Sequence, residues 1–132
     1  FYSVELKAEQ EHTENLFLET WSNRNLDSRA SHAERGSNVG WMQKLRADLL
    51  FYYFLDLDAL YVINLFRLQR WAFGYKDQPA HIYKYKEAGQ KQHAQFNDTH
   101  GRLVPIADLQ RAMRVTRVQP RQIELFPQDI AA

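Results

Sequence analysis

Apolar and polar positions alternate over Phe1 to Lys7, placing Tyr2, Val4 and Leu6 on one face of an extended segment and Ser3, Glu5 and Lys7 on the other. The aromatic and β-branched content favours a half-buried strand. A polar stretch leads to Asn15–Trp21, a second strand, and the two are expected to pair as an antiparallel hairpin. Residues 23–40, rich in Ser, Asn and Arg, read as a surface loop. From Trp41 the period changes: Met42, Leu45, Leu49, Tyr52 and Tyr53 recur at helical spacing, with Gln43, Lys44 and Asp48 between them, which predicts the best helix in the chain. Asp56 and Asp58 flank a break, Ala59–Ile63 reads as a buried strand, and Asn64 is placed to cap a short helix running to about Phe73, which Gly74 stops.

Residues 75–95 alternate rings and bases, and Ile82–Lys86 reads as an edge strand or an arm. Asn97–Gly101 carries turn chemistry, Leu103–Pro105 is a short extended piece, and Pro105 opens a helix over Ile106–Met113. The order β-β-α-β-α, followed by a basic β/α tail, predicts an α/β fold. The 132 residues, 45% apolar and 14% aromatic, make one domain able to bury a single core, which excludes a disordered or multidomain chain.

Charge adds an asymmetry that the net value of +1 conceals. Residues 1–66 hold six basic and ten acidic side chains, whereas residues 75–117 hold eight basic and four acidic ones, so an acidic part precedes a basic one. Without cysteine, disulfides and thiolate zinc sites are excluded, and the five histidines lack H-x₃-H spacing. No apolar run approaches the ~20 residues that span a bilayer and no signal-peptide pattern opens the chain, so an intracellular protein with no membrane partner is expected. A G-x-S-x-G elbow and a Gly-rich phosphate loop are also missing, which argues against esterase-type and ATP-driven chemistry.

The sharpest local feature is Glu5-Leu6-Lys7. Strand geometry projects a carboxylate and an ammonium from one face about 7 Å apart along the chain. Such a pair suits a divalent cation on Glu5 with Lys7 steering a water or a phosphate oxygen, or it is simply a solvated ion pair. Glu19 shares its strand face with Phe17 and Trp21, so an edge or capping role stands beside a metal contact. Lys44 and Asp48 are one helical turn apart, as an i,i+4 ion pair, with phosphate contact by Lys44 the alternative. Lys76, Tyr83, Lys84, Tyr85, Lys86 and Lys91 interleave rings and bases, the composition of a surface that neutralises phosphates and stacks on bases, or of an amphipathic strand with its Tyr packed inward.

The stretch VELKAEQEHTENLFLETWSN resembles the PD-(D/E)xK nuclease superfamily, in its phage-encoded branch distantly related to Holliday-junction resolvases. There E-x-K is followed by a polar turn, a T-x-N-like element and a strand ending in Glu, the place Glu19 takes. GWMQKLRADLLFYYF, with Gly40, Trp41, Ala47 and Asp48, resembles that family's G-W…A-D helix, and NDTHGRLVPIADL resembles the tail of such phage proteins. The resemblance implies a mixed central β-sheet flanked by helices, of restriction-endonuclease-like type, and a metal-dependent DNA nuclease. Glu5 would ligate Mg²⁺ or Mn²⁺ with the Leu6 carbonyl and Glu19 as further ligands, and Lys7 would orient the nucleophilic water. The family's Asp, with its helix and strand, would lie upstream of Phe1. The rival expectation is a non-catalytic phage DNA-binding or accessory protein that retains the fold. Either would work in the cytoplasm of a bacterial host, and a homodimer through a sheet edge or the basic arm is compatible with the pattern. In the tail, Gln122–Phe126 (QIELF) resembles sliding-clamp-binding peptides, and a terminal strand packing Ile123, Leu125 and Phe126 on the core explains it equally well.

Overall fold

The computed structural model describes residues 1–22, 39–90 and 99–121. The fold is mixed α/β with two sheets among these residues. The first is four-stranded, ordered β1 (Val4–Glu9), β3 (Leu49–Phe54), β4 (Ala59–Asn64), β7 (Val115–Val118). β1 runs parallel to β3, and the other pairs are antiparallel. The second sheet is antiparallel and ordered β2 (Asn15–Trp21), β6 (Thr99–Pro105), β5 (Glu87–Gln90). Among the described residues the layers are completed by helices α1 (Trp41–Lys44), α2 (Leu65–Phe73) and α3 (Ile106–Ala112), with a 3₁₀ turn at Ile82–Lys84.

The core lies where these elements meet. Leu16 and Leu18 of β2, Leu50, Tyr52 and Phe54 of β3, Tyr61 and Ile63 of β4, and Leu65 and Leu68 of α2 are all buried there. Alternation along β3 sends Leu50, Tyr52 and Phe54 into that core and leaves Leu49, Phe51 and Tyr53 half-buried on the opposite face. α2 forms as its local signals dictate. The Asn64 side chain accepts the Arg67 N–H at 3.0 Å, and Gly74 closes the last turn at φ +83°, with its N–H on the Arg70 carbonyl at 2.9 Å.

Five expectations are corrected. β1 and β2 do not form a hairpin: β1 pairs with β3 and β2 with β6, because β2 carries Leu16 and Leu18 across to the core side of the first sheet. The long helix from Trp41 stops at Lys44, and residues 49–54 are strand instead. LLFYYF is apolar at every position and so satisfies both periods; pairing on both sides, to β1 and β4, decides it. Asp48 therefore makes no helical pair with Lys44. It ties the start of β3 to β1, its carboxylate accepting the Ser3 N–H at 2.8 Å and hydroxyl at 3.0 Å, and these bonds hold it below the usual carboxylate range. Of the two readings of Ile82–Lys86, the edge strand is set aside, because fully buried Ile82 anchors a 3₁₀ turn over Ile82–Lys84. Finally, Thr99–Gly101, expected as turn, lies within β6, where Gly101 faces Glu19.

Candidate functional site

β1 is amphipathic in the inverse sense to that expected of a half-buried strand. Val4 and Leu6 are 43% and 60% exposed, while Glu5, Lys7 and Glu9 lie half-buried on the face shared with Leu50, Tyr52 and Phe54. Turning three ionisable side chains toward the body of the protein requires internal partners. Lys7 Nζ sits 3.5 Å from Glu5 Oε1 and 5.2 Å from the centroid of the Trp41 ring. With about a third of each side chain in water, the ion pair contributes only about 0–1 kcal/mol, so it orients Lys7 more than it stabilises the fold. Glu9 accepts the Tyr52 hydroxyl, and that oxygen in turn accepts the Phe17 N–H at 3.2 Å. Burial and the Glu9 carboxylate both drive the Tyr52 phenol far up from its ordinary value.

α1 closes the other wall. Gly40 packs against β2 so tightly that a Cβ there would lie 2.3 Å from the Glu19 carbonyl oxygen, and its N–H reaches the Thr20 carbonyl at 2.8 Å. This seating places the Trp41 N–H 3.3 Å from Glu19 Oε1, so Glu19 fills the capping role at the start of α1. Burial nonetheless pushes the Glu19 carboxyl up, with the Trp41 N–H, Lys7 and Lys44 pulling it partway back. Lys7, Glu9, Glu19, Trp41 and Tyr52 line a cleft of about 180 Å³.

The fold thus gathers Glu5, Lys7 and Glu19, with Lys44 within electrostatic reach, from three separate elements. Leu6 directs its side chain outward, leaving its backbone carbonyl as the group the resemblance would use. Lys76, Tyr83, Lys84, Tyr85 and Lys86 belong to the connection between α2 and β5. Lys76 occupies a tight turn at φ +52°, and Tyr83, Lys84 and Lys86 are exposed. Tyr85 serves the scaffold: its hydroxyl donates to Asp108 Oδ2 at 2.8 Å, its ring packs on Trp71, and burial with the Asp108 bond pushes its phenol up to about 12. Lys91 and Gln122–Phe126 lie outside the described residues. Two cleft residues were missed from the sequence, Glu9 and Tyr52. Glu9 continues the period of two from Glu5 and Lys7, a signal present in the pattern. Tyr52 was hidden by its assignment to a helix.

Glu5, Glu9 and Glu19 offer hard oxygen donors suited to Mg²⁺ or Mn²⁺. Among the described residues no three carboxylates or imidazoles stand together as a cation cage. Mg²⁺ is commonly held by one or two carboxylates with water and a substrate phosphate completing its shell. No family model, no curated protein and no solved structure matches the chain. No helix among the described residues is long and apolar enough to cross a membrane.

Proposed function

We propose that the chain is a restriction-endonuclease-like, metal-dependent nuclease that hydrolyses DNA phosphodiester bonds in the cleft between β1, β2 and α1. The observation that carries this reading is the inverted face of β1: a strand serving packing alone would bury Val4 and Leu6, whereas this one holds Glu5, Lys7 and Glu9 inward beside Glu19. Glu5 and Glu19, with the Leu6 carbonyl, would hold Mg²⁺ or Mn²⁺. Such a cation polarises the phosphate and lowers the pKa of bound water. Lys7, oriented by Glu5 and the Trp41 ring, positions the attacking water and offsets charge on the phosphoryl oxygens. Burial raises the Glu19 carboxyl above its ordinary range, and a cation bound there would favour its charged form, as Lys7 and Lys44 already do in part.

A non-catalytic DNA-binding role is the second reading. It is favoured by the internal partners that Lys7, Glu9 and Glu19 already possess. Labelled duplex, single-stranded and four-way-junction DNA incubated with the protein and Mg²⁺ or Mn²⁺ decides between them. The nuclease reading expects cation-dependent cutting that falls roughly a hundredfold or more in Glu5→Gln and in Lys7→Gln, both still folded by circular dichroism. Absence of cutting by the folded protein, with DNA binding intact, would assign the accessory role.

A further inference from the structure

A second set of charged side chains lies outside the cleft and forms no ion pair among the described residues. α2 presents Arg67, Arg70 and Trp71 to a depression of about 420 Å³ that is completed by His81 and by Met113 after α3. A neighbouring depression of about 430 Å³ shares Arg67 and Met113 and adds Arg114. The two depressions are therefore neighbours, with Arg67 and Met113 lining both, and are referred to together as the groove. Among the described residues no carboxylate lines either part.

Among the described residues, Arg67, Arg70 and Arg114 form no ion pair. Arg70 is instead clasped by rings, its guanidinium carbon 4.5 Å from the Phe66 centroid and 3.7 Å from that of Tyr75, and its buried Nε has no hydrogen-bond partner. His81 stacks on Trp71 with ring centroids 5.4 Å apart, and its backbone N–H is bound to the carbonyls of Trp71 and Ala72. No described carboxylate neutralises these cations, and Arg70 and His81 stand on fixed supports. Guanidinium forks suit phosphate oxygens and are weakly hydrated, so an external phosphate displaces little water to reach them. The two-lobed shape suits a polymer better than one small anion, and the Trp71–His81 stack offers a ring surface beside the cations.

We propose that this groove binds the phosphodiester backbone of a nucleic-acid strand, with Arg67 at the junction, Arg70 and His81 on one side and Arg114 on the other. The ligand class rests on the nucleic-acid reading above, but the groove is independent of the cleft and its chemistry. The test is fluorescence anisotropy of labelled 20-nucleotide single-stranded and duplex DNA in EDTA, titrated over salt, for the unmodified chain and the double variant Arg67→Gln, Arg114→Gln. Arg46→Gln is the control, because that guanidinium already donates to the carbonyls of Gln43, Lys44 and Leu45.

The double variant is expected to bind roughly tenfold or more weakly at 0.15 M salt, with the slope of log affinity against log salt reduced by about 1.4 to 1.8. Whichever DNA form shows the loss identifies the strand geometry the groove takes. Unchanged affinity and slope would overturn the groove, as would saturation by inorganic phosphate without any strand binding. Glu5→Gln separates the two proposals: loss of cutting with normal binding leaves the groove standing, and loss of binding in the arginine variant without any metal-dependent cutting removes only the nuclease.

Discussion

The cleft beside β1 and the groove around Arg67 both collect charged side chains, and they satisfy them in opposite ways. In the cleft, charges of both signs answer one another: Lys7 meets Glu5, Glu9 meets Tyr52, and Glu19 meets the first N–H of α1. In the groove the arginines share one sign, Arg70 rests on the Phe66 and Tyr75 rings, and no described carboxylate pairs with any of them. A self-paired site belongs to the architecture, so disturbing it perturbs folding as well as any chemistry. An unpaired site of one sign contributes little to folding and is left to attract an external partner of opposite charge. Stability and binding should therefore separate between the two regions.

The strongest way to break the comparison is at Gly40. A Cβ in Gly40→Ala would strike the Glu19 backbone, so the substitution must displace α1 from β2 and take Trp41 away from Lys7. A loss of about 3 kcal/mol or more is expected in urea unfolding, an effect of core overpacking size. If the loss is below 1 kcal/mol, α1 is not the rigid wall of the cleft.

Next comes Tyr52→Phe, which removes the hydroxyl that joins Glu9 to the Phe17 N–H and leaves both in a half-buried setting. The expected cost is about 1–3 kcal/mol by denaturant midpoint. A neutral result would mean that water replaces the phenol readily and that the cleft is wetter than its lining suggests.

Glu19→Gln is expected to act in the other direction. The folded state raises the Glu19 pKa above its ordinary 4.5, so the native protein binds this proton more tightly than the unfolded chain does. Stability linked to Glu19 is thus highest in acid and falls as pH rises from about 4.5 through the raised folded value. A glutamine keeps an acceptor for the Trp41 N–H without the buried charge. The variant should be at least as stable as the parent at pH 7, show a flatter pH dependence across that window, and lose cation-dependent cutting. Thermal melts from pH 3 to 8 check the first two points, and a less stable variant at pH 7 would show that the charge itself holds α1.

The smallest effect is expected in the groove. Arg67→Gln and Arg114→Gln replace exposed cations that have no described carboxylate partner, so each should shift stability by no more than about 0.5 kcal/mol while weakening strand binding. A large thermal destabilisation would place these arginines in the architecture and erase the contrast.

Elements legible in the sequence are those whose signals are local. β4, the Asn64 cap, α2 and its Gly74 stop, and the helix after Pro105 all stand where residue type and spacing put them. The face parity of β1 and of Glu19 was equally readable, because the period of two is a property of the strand itself. β3 was not, since a run apolar at all six positions carries no period to choose between helix and strand. The cleft was half legible: Glu5, Lys7 and Glu19 stand in the motif, but Tyr52 and the approach of Gly40 to β2 emerge only when distant segments meet.

By itself the sequence determined an α/β chain, the caps and stops of its helices, and which side chains share a strand face. These follow from steric limits and hydrogen bonds within a few residues. Tertiary structure alone decided which strands pair, which face of β1 turns inward, and that Arg67, Arg70 and Arg114 gather without carboxylates. Those outcomes depend on burial summed over segments tens of residues apart, a free energy that exceeds local preferences of a few tenths of a kcal/mol per residue.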